Sequence, residues 1–250
     1  SRLIYIMSNE FFTFKQFTVY QRRCAMKVGT DGVLLGAWAC PCEVLNEKNA
    51  RLDILDIGTG TGLIALMLAQ RFPLAFIDSI DISSDAVLEA RENVKASRFA
   101  DRIRVENVAL QQYEPSKKYD LIVSNPPFFV DSLHNPDAGR TMARHADTLT
   151  YADLFRGVSR LLSKQGIFAA IIPSENIEPF LTEACISGLF EMITYAIRTT
   201  PSKPVRRLMM AFSMHRTETP DYKEVCLVGT NGNRSPWYDC LTKDFYLSTN

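Results

Sequence analysis

The sequence predicts a doubly wound α/β fold, in which a mostly parallel β-sheet carries helices on both faces. Apolar segments of strand length alternate with longer segments of helix length along most of the chain, which is typical of such sheets. A glycine-rich turn joins one strand to one helix at residues 52–72. Two strand-like segments near the C-terminus follow each other without a helix between them, which indicates an antiparallel closing hairpin at the edge of the sheet.

Length and composition fit a single domain over residues 1–250. The chain has 250 residues, of which 46% are hydrophobic, enough to bury a full core. No apolar run reaches about 18 residues, so we expect no membrane span. The six cysteines show no metal-ligand spacing and suit a reduced, cytoplasmic compartment without a bound metal. Residues 1–6 precede Met7, which we expect to be the natural start.

The first core strand, near 52–57, ends in a turn with three evenly spaced glycines. A dinucleotide-binding turn has the pattern G-x-G-x-x-G, whereas this one reads Asp56-x-Gly58-x-Gly60-x-Gly62. A carboxylate beside the turn would repel a pyrophosphate and attract a cationic amino group. The turn therefore favours S-adenosylmethionine, which carries an ammonium and a sulfonium group, as the cofactor.

The next strand places a carboxylate where a ribose could meet it. A helix follows the turn at 63–72, and the strand at 75–81 ends in Asp81. An acidic residue about 20 residues beyond such a turn can accept hydrogen bonds from both ribose hydroxyls. Asp78, in the middle of the same strand, is a second candidate for this role, but a solvated or paired carboxylate fits it better.

The most informative motif is Asn125-Pro126-Pro127-Phe128, directly after a strand near 119–123. An exocyclic amine on a base is a poor nucleophile, because its lone pair is delocalised into the ring. The Asn125 side-chain oxygen and the Pro126 carbonyl could accept both of its N–H groups, since the prolines stiffen the backbone and turn it away from the strand ladder. Phe128 would stack on the base. Taken alone, the motif could also be a turn with Phe128 in the core.

The remaining segments complete the alternation of helices and strands. Ser83 or Ser84 would cap a helix near 84–97, and Thr150 would cap another. The segment from Val130 to Thr148 is too long and polar for an ordinary connection, which usually marks function or disorder. The other predicted elements are a strand near 102–107, helices near 150–162 and 175–187, and strands at 166–172, 189–199 and 206–214.

Taken together, the glycine turn, Asp81 and the Asn-Pro-Pro-Phe motif resemble the class I S-adenosylmethionine-dependent methyltransferases that act on amino groups. The N-terminal segments 12–17 and 23–38 narrow the resemblance. They are similar to the bacterial family that methylates N6 of adenosine 37, beside the anticodon of a valine tRNA. The resemblance covers nearly the whole chain. It implies a seven-stranded sheet and an N-terminal extension, residues 1–30, that lies by the cofactor and the substrate.

The resemblance also implies roles for individual residues. Asn125, Pro126 and Phe128 would be the catalytic residues that hold the target adenine. Thr30 or Asp31 would in addition cap a helix that begins near Gly32, and capping could be their only role. The residues implied to bind the cofactor are Lys27, Thr30, Asp31, Asp56, Gly58, Gly60, Asp81 and Leu110.

Two positions depart from the family pattern. Phe128 stands where Tyr is commoner, which keeps the stacking face but removes a hydroxyl. Ala109 stands where relatives usually have an Asp that accepts from the cofactor's adenine amino group. Asn107 or a backbone carbonyl could take over that contact, or the cofactor could bind more weakly. Leu110 would pack on the adenine ring, although a core leucine would have the same sequence context.

The charge pattern bears on the expected tRNA partner. The chain has 28 basic and 28 acidic residues, for a formal net charge of zero, so any attraction for RNA must come from local clusters. The candidates for tRNA contact are Arg22, Arg23, Arg140, Arg144 and Arg206, and each cluster alone could be a solvated face. Because the sheet consumes most of the chain, recognition would come from the N-terminal segment, 130–148, 199–207 and the irregular stretch 229–240. We expect a monomer.

Two other functions stay open at the level of sequence. A similar Asn-Pro-Pro site methylates glutamine side chains in proteins. A non-catalytic RNA-binding relative could also keep the pocket. Ala109 keeps this second alternative open, whereas the intact Asp56, Asp81 and Asn125 oppose it.

Overall fold

A computed structural model describes residues 10–23, 27–39, 51–126 and 149–247. Its main feature is an eight-stranded sheet in the order β10-β8-β9-β7-β6-β3-β4-β5, and a two-stranded hairpin, β1–β2, lies outside it. The hairpin strands are Phe11–Thr13 and Thr18–Tyr20; the sheet strands, β3 to β10, are Asp53–Ile57, Phe76–Asp81, Ile103–Asn107, Tyr119–Ser124, Leu162–Pro173, Phe190–Arg198, Val205–Ser213 and Asp221–Cys226.

Helices cover both faces of the sheet. Two short 3₁₀ turns, Leu110–Gln112 and Ser174–Asn176, interrupt the connections. Strands β5, β4, β3, β6 and β7 are mutually parallel, whereas β9 runs antiparallel between β7 and β8. The helices, α1 to α6, are Thr30–Trp38, Leu63–Arg71, Ser84–Ala96, Tyr151–Leu161, Ile177–Ile186 and Pro236–Thr242.

The core consists of two layers, one on each face of the sheet. The first layer surrounds α2, whose residues 63–69 are all buried. The second layer packs α4 and α5 on the sheet through aromatic contacts, with the Phe155 ring 4.7 Å from Phe180 and 5.6 Å from Phe212 between centroids. Continuous apolar strands such as β6 contribute buried side chains to both layers, as expected for a buried parallel sheet.

The doubly wound fold is confirmed, with three differences in detail. The sheet has eight strands, not seven, because Asp221–Cys226 adds a parallel strand beyond β8. The β8–β9 pair is antiparallel as predicted, but β10 covers its outer side. The stretch 229–240 is irregular only in part, because α6 begins at Pro236 with Ser235 as its side-chain cap. Ser83 and Thr150 cap their helices as predicted.

Close contact between α1 and α2 fixes the helix that leads into the site. A Cβ atom on Gly32 would lie 3.0 Å from Leu63 Cδ2, and one on Gly36 would lie 2.9 Å from Met67 Cβ. The two glycines are four residues apart, so they share one face of α1. A side chain on Gly36 would meet Met67 close to its backbone, whereas one on Gly32 would meet the end of the Leu63 side chain.

The N-terminal hairpin is joined both to α3 and to the C-terminal segment. The buried Asn93 side chain donates to the carbonyls of Tyr20 and Thr61, at 2.8 and 2.9 Å. The Lys15 N–H donates to the Phe245 carbonyl at 2.8 Å. The Asn93 contacts tie the hairpin to the glycine turn. Among the described residues, no helix is long and apolar enough to cross a membrane.

Candidate active site

The glycine turn lies at the carboxyl edge of the sheet, between β3 and α2. Gly58, Gly60 and Gly62 all have positive φ, at 72°, 55° and 81°, a conformation that side chains with a Cβ rarely adopt. The N–H groups of Gly58 and Thr59 donate to the Ile80 carbonyl at 2.9 and 3.1 Å. These bonds hold the turn against the end of β4.

Asp56 lies beneath this turn and is fully buried. Its Oδ2 accepts from the Thr59 hydroxyl at 2.7 Å, and its Oδ1 has no partner among the described residues. Burial raises the pKa of the Asp56 carboxyl to about 7, and the negative charge of Asp81 adds to the increase, against the lowering effect of the Thr59 and Ala65 hydrogen bonds. Asp56 thus supports the turn from inside.

Asp81 joins the end of β4 to the glycine turn. Its Oδ2 accepts from the Gly60 N–H at 2.9 Å, and its Oδ1 accepts from the Ser83 N–H at 2.9 Å. Each carboxylate oxygen can accept more than one hydrogen bond. The carboxylate therefore keeps capacity for ribose hydroxyls, and contact with a ribose stays a prediction.

Asn125 lies next to the turn because their strands are neighbours. Ser124 pairs with Ile57 in the ladder, and its hydroxyl donates to the Ile57 carbonyl at 3.0 Å. The next residue in each strand is therefore Asn125 on one side and Gly58 on the other. The Asn125 Oδ1 atom is buried and has no hydrogen-bond partner among the described residues. A buried acceptor without a donor is costly, so this oxygen is suited to accept from a ligand that enters the site.

The N-terminus of α1 forms the opposite wall. The helix begins at Thr30 with Gly29 as N-cap, and no side chain caps it. The prediction that Thr30 or Asp31 caps a helix beginning near Gly32 is therefore wrong, because both residues lie inside the first turn. The open N–H groups of this turn and the cationic Lys27 suit a carboxylate.

These elements enclose an open cavity of about 330 Å³. Of the predicted cofactor residues, Lys27, Thr30, Asp31, Gly58 and Gly60 line it, together with Asn125. The structure thus brings the glycine turn, the α1 N-terminus and the Asn-Pro corner into one space.

Three predicted cofactor residues do not line this cavity. Asp56 lies under the turn. Asp81 lies behind Gly60 and accepts a hydrogen bond from the Gly60 N–H. Leu110 is 4% exposed and packs against Gly157 of α4, where an added Cβ would lie 2.6 Å from Leu110 Cδ2. Its contact with the cofactor's adenine stays a prediction.

Asn107 is well placed beside Ala109 and Asp81. Its side-chain amide donates to the carbonyls of Asp81 and Ile82, at 2.9 and 3.0 Å. Both N–H groups of the amide are used in this way, so the exposed Asn107 side chain can offer only its oxygen to a ligand. That oxygen is an acceptor, which is what the methyl group of Ala109 cannot provide.

The predicted tRNA arginines are placed unequally. Arg22 pairs with Glu10 at 3.0 Å and Arg23 pairs with Glu92 at 2.7 Å, both on the exposed surface. Arg206 is exposed at the start of β9 and makes no ion pair among the described residues. Phe128, Arg140, Arg144 and the 130–148 segment lie outside the described residues.

One residue of this region was missed by the sequence analysis. Arg207 Nε donates to Asp31 Oδ2 at 2.7 Å, across 176 positions of sequence. Its neighbour Arg206 was predicted as a tRNA contact, whereas Arg207 was not. Within the described ranges, no group of three or more His, Cys, Asp or Glu side chains could hold a metal ion. The described cysteines, Cys185, Cys226 and Cys240, are not in disulfides.

Comparison with known sequences identifies close relatives. The sequence model of the methyltransferase small domain matches residues 42–153. A tRNA1(Val) (adenine(37)-N6)-methyltransferase from Parabacteroides distasonis is 46% identical over 96% of this chain and 99% of its own length. Proteins of the same name from Phocaeicola vulgatus and Trichodesmium erythraeum are 46% and 44% identical, over 97% and 96% of this chain and 100% and 99% of their own lengths.

Comparison with solved structures supports the fold alone. A predicted O-methyltransferase from Agrobacterium tumefaciens superposes with a TM-score of 0.66 at 16% identity, over 88% of this chain and all of that one. A ribosomal protein L11 methylase from Lactobacillus delbrueckii subsp. bulgaricus gives a TM-score of 0.50 at 18% identity, over 73% of this chain and 76% of that one.

Proposed function

This chain belongs to the family of tRNA1(Val) (adenine(37)-N6)-methyltransferases, and on that basis we propose that it transfers a methyl group from S-adenosylmethionine to N6 of adenosine 37 in a valine tRNA. The protein is an S-adenosylmethionine-dependent enzyme. The names of its relatives favour an adenine over a protein glutamine as the methyl acceptor.

The observation that carries this proposal is the buried Asn125 oxygen beside the glycine turn, which has no partner in the described part of the chain. It is the acceptor that an exocyclic amine needs, and it lies in the same cavity as the residues suited to the methyl donor. The Pro126 carbonyl follows in the chain and is the second candidate acceptor. Contact of Phe128 with the adenine ring is a further part of the proposal.

The residues around the cavity fit the parts of the cofactor. The Lys27 ammonium and the open N–H groups at the start of α1 suit its carboxylate. Asp31 suits its ammonium group, and the side-chain-free glycine turn lets the ligand approach the backbone, since nothing lies within 4 Å of a Cβ built on Gly58. Asp81 suits its ribose, and the Asn107 oxygen suits its adenine amino group.

In this proposal the protein acts by positioning and by accepting hydrogen bonds. S-adenosylmethionine supplies an electrophilic methyl group when it is bound. Asn125 and Pro126 accept the two N–H groups of the adenine, which returns electron density to N6 and orients its lone pair. As the N–C bond forms, the bond between the methyl group and the sulfonium would break and leave a neutral thioether, and positive charge would develop on N6 close to the same oxygens. The methylated nitrogen then loses a proton to water, so no side-chain base is required.

We place recognition of the RNA on the catalytic edge of the sheet. Arg206 and the β8–β9 turn stand at this edge because β9 starts there, opposite the end of β7. A loop base leaves its stack at lower cost than a base in a duplex, which suits a target beside an anticodon. Arg22, Arg23, Arg140 and Arg144 are further proposed contacts. We also propose that the enzyme is a monomer and works in the cytoplasm.

The decisive experiment measures methyl transfer to purified tRNA. The protein would be incubated with methyl-labelled S-adenosylmethionine and total bacterial tRNA; one portion of the RNA would be digested to nucleosides to identify the methylated base, and another would be sequenced to locate it. We expect N6-methyladenosine at position 37 of a valine tRNA, and no label on the same transcript carrying guanosine at that position. Label on a release-factor peptide but not on tRNA would instead establish the glutamine reaction, and label on neither, with intact cofactor binding, would indicate a non-catalytic relative.

A further inference from the structure

Arg207 lies at the catalytic edge of the sheet although it is far from the site in sequence. It is the third residue of β9 and pairs with Pro173, the last residue of β7. Since β9 is antiparallel to β7, its first residues stand where the parallel strands end. The Arg207 side chain is thereby within reach of α1, which carries one wall of the cavity.

The contact between Arg207 and Asp31 is short and partly shielded from water. Arg207 Nε lies 2.7 Å from Asp31 Oδ2, and the two side chains are 33% and 23% exposed. Partial burial reduces screening by salt. The guanidinium is itself held, because its Nη1 donates to the Arg206 carbonyl at 3.0 Å. A planar group fixed at two points gives the Asp31 carboxylate a defined orientation.

Asp31 is a cavity residue on a helix start that has no side-chain cap. On one side, the close approach of Gly32 to Leu63 fixes this helix start against α2. On the other side, Arg207 joins it to β9. The carboxylate has one oxygen engaged by Arg207 and keeps further acceptor capacity. Without the guanidinium, its full negative charge would stand in the same cavity as the carboxylate proposed for the cofactor.

We propose that Arg207 is a positioning residue, which orients the Asp31 carboxylate so that it can receive the ammonium group of S-adenosylmethionine. The proposal rests on the proposed function for the identity of the ligand. Arg206 provides the natural comparison, because it is the neighbouring arginine of β9, is exposed and makes no ion pair among the described residues.

The test is calorimetric titration of S-adenosylmethionine into the purified protein and its variants. We expect Arg207→Gln to raise the Kd about tenfold, the effect of losing one charged hydrogen bond, and Arg207→Lys to recover part of the loss. Arg206→Gln should leave this Kd unchanged. With tRNA in excess, Arg207→Gln should raise KM for the cofactor and change kcat by less than about twofold. Melting of each cofactor-free variant shows whether it is folded.

A double-mutant cycle separates action through Asp31 from a general effect on structure. In the Asp31→Asn background, Arg207→Gln should change the Kd by less than about twofold. An equal loss in both backgrounds, or an unchanged Kd in Arg207→Gln alone, would overturn the proposal. If Arg207→Gln does not fold, Arg207→Lys in the same cycle decides. Failure of the unmodified protein to bind S-adenosylmethionine would count against the proposed function instead.

Discussion

At the scale of single residues, the site combines a buried acceptor, a buried acid and a carboxylate that already has two backbone donors. Counting only partners within the described ranges, the Asn125 oxygen has none, Asp56 has a partner on one oxygen and not on the other, and Asp81 is bonded through both. The three residues lie at or near the carboxyl ends of neighbouring strands. Their differences in hydrogen bonding predict different consequences of substitution.

Asn125→Ala should lower kcat by about 100-fold, because one preorganised hydrogen-bonding group is lost where charge develops. The Kd for S-adenosylmethionine should remain within about twofold, since the lost oxygen contacts the adenine that accepts the methyl group and not the cofactor that donates it. Single-turnover methylation of tRNA and calorimetry measure the two quantities. Equal activity of the variant would remove Asn125 from the mechanism.

Asp81→Ala should show the opposite pattern. Its removal takes away the proposed ribose acceptor and leaves the Gly60 and Ser83 N–H groups without their partner. We expect the Kd for the cofactor to rise tenfold or more, on the order of one charged hydrogen bond. Urea unfolding of the cofactor-free variant should also show lower stability. Unchanged cofactor binding would place the ribose elsewhere.

Asp56 should make the stability of the cofactor-free protein depend on pH. Its folded-state pKa of about 7 is above the ordinary value of 3.8. Between these values the folded protein keeps a proton that the unfolded chain has released, so the free energy of unfolding falls as pH rises and levels off above 7. The slope from this residue is at most about 1.4 kcal/mol per pH unit.

Urea unfolding at pH 5, 6, 7 and 8 measures this effect. Asp56→Asn is the control, because the amide does not titrate and keeps an oxygen for the Thr59 hydroxyl. The variant should lose the part of the negative slope between pH 5 and 7 that Asp56 contributes. Identical slopes in the two proteins would mean that Asp56 is ionised throughout this range.

At the scale of elements, α1 is the part of the fold on which the site most depends. It carries cavity residues at its start and packs on α2 through Gly32 and Gly36. Its position is set by close contact, and not by an N-terminal side-chain cap. A change in that packing should therefore be felt at the cavity.

Gly36→Ala should destabilise the protein by about 1–3 kcal/mol, the usual cost of overpacking. The added Cβ would lie 2.9 Å from Met67 Cβ, which cannot move away as the end of a flexible side chain can. This clash outweighs the gain in helix propensity of about 1 kcal/mol. Urea unfolding measures the change, and Met67→Ala in the same chain should recover only the part due to Met67 Sδ, which would lie 2.7 Å from the added Cβ. A more stable Gly36→Ala protein would contradict the close packing.

The elements that could be predicted from the sequence are those with local signals. The strand, glycine turn and helix at 52–72 have apolar periodicity and a distinctive turn, and the caps Ser83 and Thr150 stand next to the helices they start. The β1–β2 hairpin was missed, because strands of three residues show no clear alternation. The Arg207–Asp31 pair could not be predicted, since it depends on the antiparallel placement of β9, 176 residues away.

At the scale of the whole molecule, the net charge is zero, but the cationic side chains differ in whether an acidic side chain pairs with them. Arg22 and Arg23 are engaged by Glu10 and Glu92, whereas Arg206 makes no ion pair among the described residues. Attraction for a polyanion then depends on where the uncompensated cations lie. Arg206, at the start of β9, is such a cation at the catalytic edge of the sheet.

Arg206→Gln should weaken tRNA binding and reduce the slope of log K against log salt by about one. Arg216→Gln is the matched control, because Arg216 is also exposed but follows the end of β9, at the opposite edge of the sheet. Filter binding at several salt concentrations measures both. Equal slopes for the two variants would remove Arg206 from the RNA interface.

The hydrogen bond between Lys15 and Phe245 brings the first and last described segments side by side. A circular permutant that links residue 247 to residue 10 through a short flexible peptide should therefore keep every sheet ladder. The new N- and C-termini would lie between α5 and β8, at the edge of the sheet opposite the cavity. They would then be far from the N-terminal hairpin. Such a rearranged gene would allow a reporter to be fused away from the RNA.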